Sequence, residues 1–178
     1  MSNELVGASV LITGGTGSFG STMARRLLEC DVGQVRIFSR DEAKQDDLRR
    51  SLNDNRALFY IGDVRDRRSI KDAIGGVDYV FHAAALKQVP SCEFFPTQAV
   101  ATNVMGSSNV IEAGAAAHVK NIVFLSTDKA VYPINAMGMT KALMEKTAQA
   151  FARNHPESNT SVSIVRYGNV MMSRGSVI

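Results

Sequence analysis

One stretch constrains the fold of this chain more than any other: Thr13-Gly14-Gly15-Thr16-Gly17-Ser18-Phe19-Gly20. It follows directly on the apolar run Ala8-Ser9-Val10-Leu11-Ile12 and opens an amphipathic stretch from about Phe19 to Cys30. The first pattern predicts a buried strand and the second a helix. Gly14, Gly17 and Gly20 have the spacing G-x-x-G-x-x-G. Between a strand and a helix, the first glycine makes the tight turn and the second lets backbone approach a pyrophosphate. The third lets helix and strand pack closely. The helix N-terminus then offers unpaired N–H groups and partial positive charge to phosphates. Thr16, Ser18 and Phe19 join the three glycines as candidate dinucleotide contacts.

The rest of the chain repeats this alternation. Val35–Phe38, Leu58–Ile61, Tyr79–Phe81, Asn121–Leu125 and Ser163–Tyr167 read as further strands. Helices are expected from about Asp41, between the third and fourth strands, from about Thr97 to His118 and from about Met137 to Asn154. In the long helix, Val100, Val104 and Ile111 are expected on one face. Strands alternating with helices predict a Rossmann-type, doubly wound parallel sheet with helices on both faces. Such sheets bind ligands beyond the carboxyl ends of their strands. Every motif discussed here falls at one of those ends.

Composition excludes several classes. A chain of 178 residues makes about one domain, 1–178. Its 20 basic and 17 acidic residues leave a net charge of +3, too weak to argue for nucleic acid or a membrane surface. Arg65, Arg67 and Arg68 read as a solvated loop and helix start. No run approaches the roughly 18 apolar residues of a membrane span. Cys30 and Cys92 lie far apart without metal-ligand spacing, so reduced thiols, no metal and a cytoplasmic protein are expected. The sequence stops on Arg174-Gly175-Ser176-Val177-Ile178, without a cap or polar tail, which reads as part of something longer.

Ser39-Arg40 ends the second strand, where an adenosine ribose should lie. A carboxylate there suits the free ribose hydroxyls of NAD. A hydroxyl and a guanidinium instead suit a 2′-phosphate, with Lys44 adding charge from the next turn, so NADP is the expected cofactor. Asp41 fits better as a helix-start residue. Asp63 and Val64, after the third strand, are placed to meet the adenine. Ala83, Ala84 and Ala85, after the fourth, are small enough for a cofactor to run past them. Lys87 in the same loop is a candidate for a phosphate or hydroxyl contact. Asn103 is a candidate amide at the cofactor or, equally, a structural one.

Thr127, Asp128 and Lys129 lie just past the fifth strand. Met137 and Lys141 are four residues apart and so project from one helical face. A lysine there can hydrogen-bond a nicotinamide ribose and lower the pKa of neighbouring acids through its charge.

Taken together, TGGTGSFG, FSRDEAKQDD, GDVRD, HAAALKQVPSCE, STDKAVYPINAMGMTK and RYGNVMMSRGSVI resemble the extended short-chain dehydrogenases/reductases of bacterial polysaccharide biosynthesis. The group most similar is the CapD-like inverting UDP-N-acetylglucosamine 4,6-dehydratases, the branch that makes sugar nucleotides for capsule or O-antigen. The resemblance covers nearly the whole chain. It implies that a C-terminal substrate domain is missing from this sequence, and that 1–178 alone binds NADP but turns over poorly or not at all. It also implies a homo-oligomer, with the helices about Thr97–His118 and Met137–Asn154 as a candidate interface, although simple core packing explains their apolar faces equally well. In the superfamily a tyrosine normally stands four residues before the lysine. Here that position holds Met137, whose thioether cannot trade protons. The resemblance implies that Asp128 and Lys129 replace it, standing where dTDP-glucose dehydratases carry an Asp-Glu pair. Hydride would leave carbon 4 of the sugar, Lys129 would remove the carbon 5 proton, and Asp128 would help hydroxide leave carbon 6. Hydride would return to carbon 6 and reprotonation would invert carbon 5, with the cofactor regenerated. Lys129 would need its pKa to fall from about 10.4 toward neutrality by burial beside Lys141. The group that takes the carbon 4 hydroxyl proton stays open among Asp128, Thr127 through a water, and Lys141. Two alternatives compete: a UDP-hexose 4-epimerase, for which Asp128-Lys129 is superfluous, and a non-catalytic NADP-binding module.

Overall fold

The computed structural model describes residues 3–169; Val170 and the run Arg174–Ile178 lie outside them. Six strands alternate with helices. In chain order they are β1 (Ser9–Thr13), α1 (Ser18–Leu28), β2 (Gln34–Ser39), α2 (Glu42–Leu52), β3 (Ala57–Ile61), α3 (Arg67–Ile74) and β4 (Tyr79–His82). There follow α4 (Val89–Phe94), α5 (Pro96–Ala99), a π-helical segment (Val100–Met105), α6 (Gly106–Ala116), β5 (Asn121–Thr127), α7 (Ala136–Asn154) and β6 (Ser161–Tyr167). The strands form one sheet in the order β3-β2-β1-β4-β5-β6, parallel throughout. This is the Rossmann-type doubly wound sheet expected from the sequence.

Period-two alternation explains the two cores. Val10 and Ile12 of β1 pack with Ala24, Leu27, Val35, Ile37 and Leu48 on the side covered by α1 and α2. Leu11, between them, packs on the other side with Ile70, Ile74, Val110, Ile122, Phe124 and Met144. All five residues of β1 are buried, as a central strand covered on both faces must be. On β6, half-buried and exposed residues alternate instead, and Val165 is 46% exposed.

Caps set the helix starts. The Asp41 carboxylate accepts from the Lys44 backbone N–H at 3.0 Å, so Asp41 is the helix-start residue that its position suggested. Asp66 and Asn135 cap α3 and α7 in the same way.

The expected helix from Thr97 to His118 is corrected in two respects. It starts at Pro96 and ends at Ala116, and its Val100–Met105 stretch is π-helical. The wider turn rotates side chains away from α-helical spacing. Val104 and Ile111 are buried, but Val100 is 41% exposed rather than sharing their face. A short helix, α4, also stands between β4 and this long helix, where the sequence reading named no element.

The order of strands reverses between β1 and β4. Their ends are level, with Thr13 opposite both Phe38 and His82 in register. Loops from β1 and β4 therefore part at this point and leave a crevice.

Candidate active site

The crevice is a cleft of about 1390 Å³ along the carboxyl ends of the strands. One end is built from backbone. Gly14 has φ +67°, in the left-handed region, and a Cβ there would lie 2.7 Å from the Ala84 nitrogen and 2.8 Å from the Ala83 carbonyl carbon. A Cβ on Gly20 would lie 2.5 Å from the Cα of Gly15. Both positions therefore require glycine: Gly14 for the tight turn that the spacing suggested, and Gly20 because α1 packs against the backbone of the Gly14-Gly15 turn rather than against a strand. Gly17 is the N-cap of α1 with no side-chain cap, so the first turn leaves N–H groups available to a ligand. Thr16, Ser18 and Phe19 border the cleft with them. This cradle fits the diphosphate of a dinucleotide.

Further along lie Ser39, Arg40 and Lys44, with Asp63 and Val64 beyond the neighbouring strand β3. Arg40 Nη1 lies 3.4 Å from an Asp63 oxygen, and Arg65 holds the same carboxylate at 2.5 Å. Lys44 pairs with Asp41. The Asp41 carboxylate is thus engaged by its own helix. The Lys44 side chain, through its hydrogen bond, holds it below the usual carboxylate range. Gln45, which sequence reasoning missed, is 1% exposed and donates to the Ser39 carbonyl, the Ser39 hydroxyl and the Tyr60 carbonyl. It locks the end of β2. Its signal was a polar residue on the inner face of an otherwise polar helix, which periodicity alone does not flag.

The middle of the cleft runs past Ala83, Ala84 and Ala85, with Lys87 at its edge. Beneath it is a second residue missed from sequence. His82 is 1% exposed, with Nδ1 2.7 Å from the Thr13 hydroxyl and Nε2 3.0 Å from the Ser107 hydroxyl. Ser107 donates to the Asn103 carbonyl at 2.7 Å, and Thr13 accepts from the Ala84 N–H at 3.3 Å. These partners leave one self-consistent assignment: Nε2 carries the proton and Nδ1 accepts from Thr13. Burial pushes the imidazole down to about 3, helped by the charge of Lys141. Asn103, a cofactor candidate from sequence, does not border the cleft. Its carbonyl oxygen accepts from the Leu86 N–H at 2.8 Å, and its amide donates to the Leu86 carbonyl and the Thr140 hydroxyl. Fully buried, with both amide protons donated, it clamps the β4 loop to α7 and has no donor to spare for a cofactor.

The far end holds the catalytic candidates. Thr127, Lys129, Met137 and Lys141 share the cleft wall with Tyr167 and Asn169. Asp128 does not border the cleft. Its carboxylate accepts from the Thr127 hydroxyl and the Lys129 N–H, each at 2.8 Å. The Thr127 hydrogen bond above all, with the charge of Lys129, holds it below the usual carboxylate range. It is an anion at neutral pH, with no proton to donate while these bonds last. Lys129 Nζ lies 3.4 Å from Asp128 and 3.3 Å from the Asn169 side-chain oxygen. The burial expected at Lys129 is absent, since its side chain is 39% exposed and faces a carboxylate. Burial falls on Lys141 instead. That residue is 6% exposed, donates to the Leu125 carbonyl at 2.8 Å, and is pushed down to about 8 by desolvation. Met137 is 5% exposed and packs with Cys92 and Ala99, so it belongs to a small apolar core as well as to the cleft wall.

Among the described residues no group of three or more His, Cys, Asp or Glu could hold a metal ion, and no helix is long and apolar enough to cross a membrane.

Relatives share this architecture. The UDP-glucose 4-epimerase of Rickettsia prowazekii is 58% identical over 177 residues, which cover 97% of this chain and 52% of that protein. The crystal structure of Pen from Bacillus thuringiensis superposes with a TM-score of 0.95 at 40% identity, over 97% of this chain and 53% of that one. DesIV of Streptomyces venezuelae, a dTDP-glucose 4,6-dehydratase solved with NAD and TYD bound, gives a TM-score of 0.80 at 25% identity over 89% of this chain and 55% of its own. The chain thus spans about half the length of the proteins it matches. A family model described as polysaccharide biosynthesis protein matches residues 10–178, and with that match over nearly its whole length the chain belongs to this family.

Proposed function

We propose that residues 1–178 are the dinucleotide-binding part of a longer, NADP-dependent sugar-nucleotide 4,6-dehydratase. Its substrate is UDP-N-acetylglucosamine and it inverts carbon 5. One observation carries this reading: Lys129, paired with Asp128, lines the same cleft as the buried Lys141, while an apolar, packed methionine occupies the place of a proton-transferring tyrosine. An enzyme that only removes and returns hydride at carbon 4 needs no such pair. Dehydration needs both a base at carbon 5 and help for the oxygen leaving carbon 6.

The residues divide the work as follows. The turn at Gly14 and the start of α1 bind the diphosphate. Arg40 and Lys44 favour the 2′-phosphate, with Asp41, which borders the same stretch of the cleft, engaged by its helix cap and by Lys44. Lys141 holds the nicotinamide ribose. Once bound, NADP supplies the hydride acceptor and donor. Lys129 takes the carbon 5 proton at Nζ. Asp128 can give a proton to the carbon 6 oxygen only after substrate displaces its bonds to Thr127 and Lys129 and it has taken up the proton that the carbon 4 hydroxyl loses with the hydride. The protein acts in the cytoplasm, as a homo-oligomer, in making sugar nucleotides for capsule or O-antigen.

The relatives named UDP-glucose 4-epimerase favour a second reading, a UDP-hexose 4-epimerase on the same scaffold. One experiment separates the two. The protein is incubated with UDP-N-acetylglucosamine and NADP⁺ in deuterated water, and the sugar is read by mass spectrometry and proton NMR. Loss of one water with deuterium gained at carbon 5 supports the dehydratase. Unchanged mass with an inverted carbon 4 supports the epimerase. Unchanged sugar alongside NADP binding assigns to these residues the cofactor role alone.

A further inference from the structure

Lys141 is a buried ammonium without a carboxylate in ion-pair range among the described residues. Its hydrogen-bond partners are the Leu125 carbonyl at 2.8 Å and the Met144 sulfur at 3.7 Å, both uncharged. Such a group favours its neutral form unless a negative charge stands nearby. One turn further along α7 is Glu145, 3% exposed. Its carboxylate accepts from the Ser126 hydroxyl on β5 at 2.5 Å, and from Arg166 Nε and Nη2 on β6 at 2.9 and 2.6 Å. Glu145 is therefore held in one place by two strands and shares its charge with a guanidinium whose side chain is 49% exposed. Neither residue borders the cleft.

The remaining charged or titratable groups around Lys141 give no substitute for Glu145. His82 on β4 is neutral. Tyr167 on β6 is pushed up by burial and is also neutral. Lys129 pairs with Asp128, beyond the end of β5, and brings no negative charge to Lys141. On α4, Glu93 accepts from the Ala136 N–H at 2.7 Å, at the start of α7, and the Cys92 thiol is pushed up by desolvation.

We propose that Glu145 and Arg166 form a positioning pair that sets the charge Lys141 presents to the cleft: Glu145 keeps the buried ammonium protonated, and Arg166 limits that hold. This inference rests on the reading of Lys141 as the lysine of the nicotinamide end. The direction agrees with the electrostatics, since burial lowers the Lys141 pKa and Glu145 raises it. A tie that merely joins α7 to the sheet would give the same packing but no effect on Lys141. The two members of the pair should instead act on Lys141 in opposite directions.

The test is an NMR titration of the chain with lysine labelled at Cε, the Lys141 signal being assigned through Lys141→Met. In Glu145→Gln the Lys141 midpoint moves down by about one pH unit. In Arg166→Gln it moves up. Glu145→Asp keeps the charge and holds the midpoint above that of Glu145→Gln. No shift in Glu145→Gln, or shifts of one sign in both variants, overturns the proposal. If Glu145→Gln does not fold, Arg166→Gln and Glu145→Asp decide alone: a midpoint unmoved or lowered in Arg166→Gln overturns the proposal. NADP binding by the wild-type chain is measured separately. Opposite shifts without NADP binding leave the pair standing and remove the functional reading. Binding without shifts does the reverse.

Discussion

The two ends of the cleft are built on different principles. The diphosphate end is backbone. Its glycines fall within the single stretch Gly14–Gly20, and the neighbours in space of Gly14 and Gly20 are main-chain atoms of Gly14, Gly15, Ala83 and Ala84. The far end is side chains gathered from separate elements, with Lys141 on α7, Glu145 beside it, Ser126 on β5 and Arg166 on β6. The first end is rigid because no atom can give way. The second is tunable, because charge and desolvation oppose each other at one buried amine. Substitutions at the first end should therefore cost folding and binding together. At the second, stability and function should part company.

The largest effect expected is at Gly14. Gly14→Val puts a branched side chain at φ +67° and drives its Cβ to within 2.7 Å of the Ala84 nitrogen. Left-handed strain and overpacking against backbone together cost about 4 kcal/mol. Thermal unfolding should fall steeply and dinucleotide binding should vanish. A variant that melts like the wild type would show that the loop is not rigid, and the contrast between the ends would collapse.

Lys141→Met sharpens the contrast from the other side. A buried base whose folded pKa is about 8, against 10.5 for an ordinary lysine, is held charged at a cost to the fold. Its sign follows from linkage: the unfolded chain binds more protons between pH 8 and 10.5, so stability rises through that window, and below it the full penalty remains. Methionine removes the penalty while the Leu125 carbonyl loses one donor. Unfolding in urea at neutral pH should show a gain of about 2 kcal/mol, and the rise toward pH 10.5 should flatten. NADP binding should weaken in the same variant. A loss of stability would mean that Lys141 is a structural residue.

These two positions also mark what was legible in the sequence. The glycine loop, the alternation of strands and helices, and the Asp41 cap were all readable, because each is local and its physics is steric. Lys141 drew a functional expectation from its spacing to Met137. Its burial was not, and was expected instead at Lys129. Burial is a property of the packed sheet: β5 carries Thr127 to the cleft mouth, and the chain beyond it turns outward, leaving Lys129 half-exposed. Asn103 shows the same limit. An amide in an apolar helix stretch gives no sign of whether it serves a ligand or a loop, and only its bonds to Leu86 and Thr140 decide. The π-helical turn that puts it there escaped a 3.6-residue template by construction.

His82 joins the two ends, through Thr13 to the loop and through Ser107 and Asn103 to α7. Burial depresses its pKa from 6.5 to about 3, so the fold favours the neutral ring. Below pH 6.5 the unfolded chain binds the extra proton, and stability is lost as pH falls toward 3, at up to about 1.4 kcal/mol per unit. Between pH 6.5 and 4.5 most carboxylates are still ionised, so the slope there belongs largely to histidine. Urea unfolding across that window should show it, and His82→Gln should reduce it. An unchanged slope would mean that His82 opens to solvent before it titrates, leaving the two ends uncoupled.

The smallest effect expected is at Met137, where packing and chemistry meet. Its side chain touches the cluster of Cys92 and Ala99 and also the cleft. Met137→Tyr adds a ring that the apolar cluster cannot absorb in full, although the cleft side is open to it. Overpacking at one edge should cost about 1 kcal/mol, a shift of a few degrees in melting temperature. The fold should survive. If it does, the position tolerates the superfamily's usual tyrosine, and methionine is there for what it does not do: it keeps a competing proton donor away from the Asp128–Lys129 pair. If the variant unfolds, the methionine answers to the core alone, and the division of labour at the far end must rest on Lys129 and Lys141 without it.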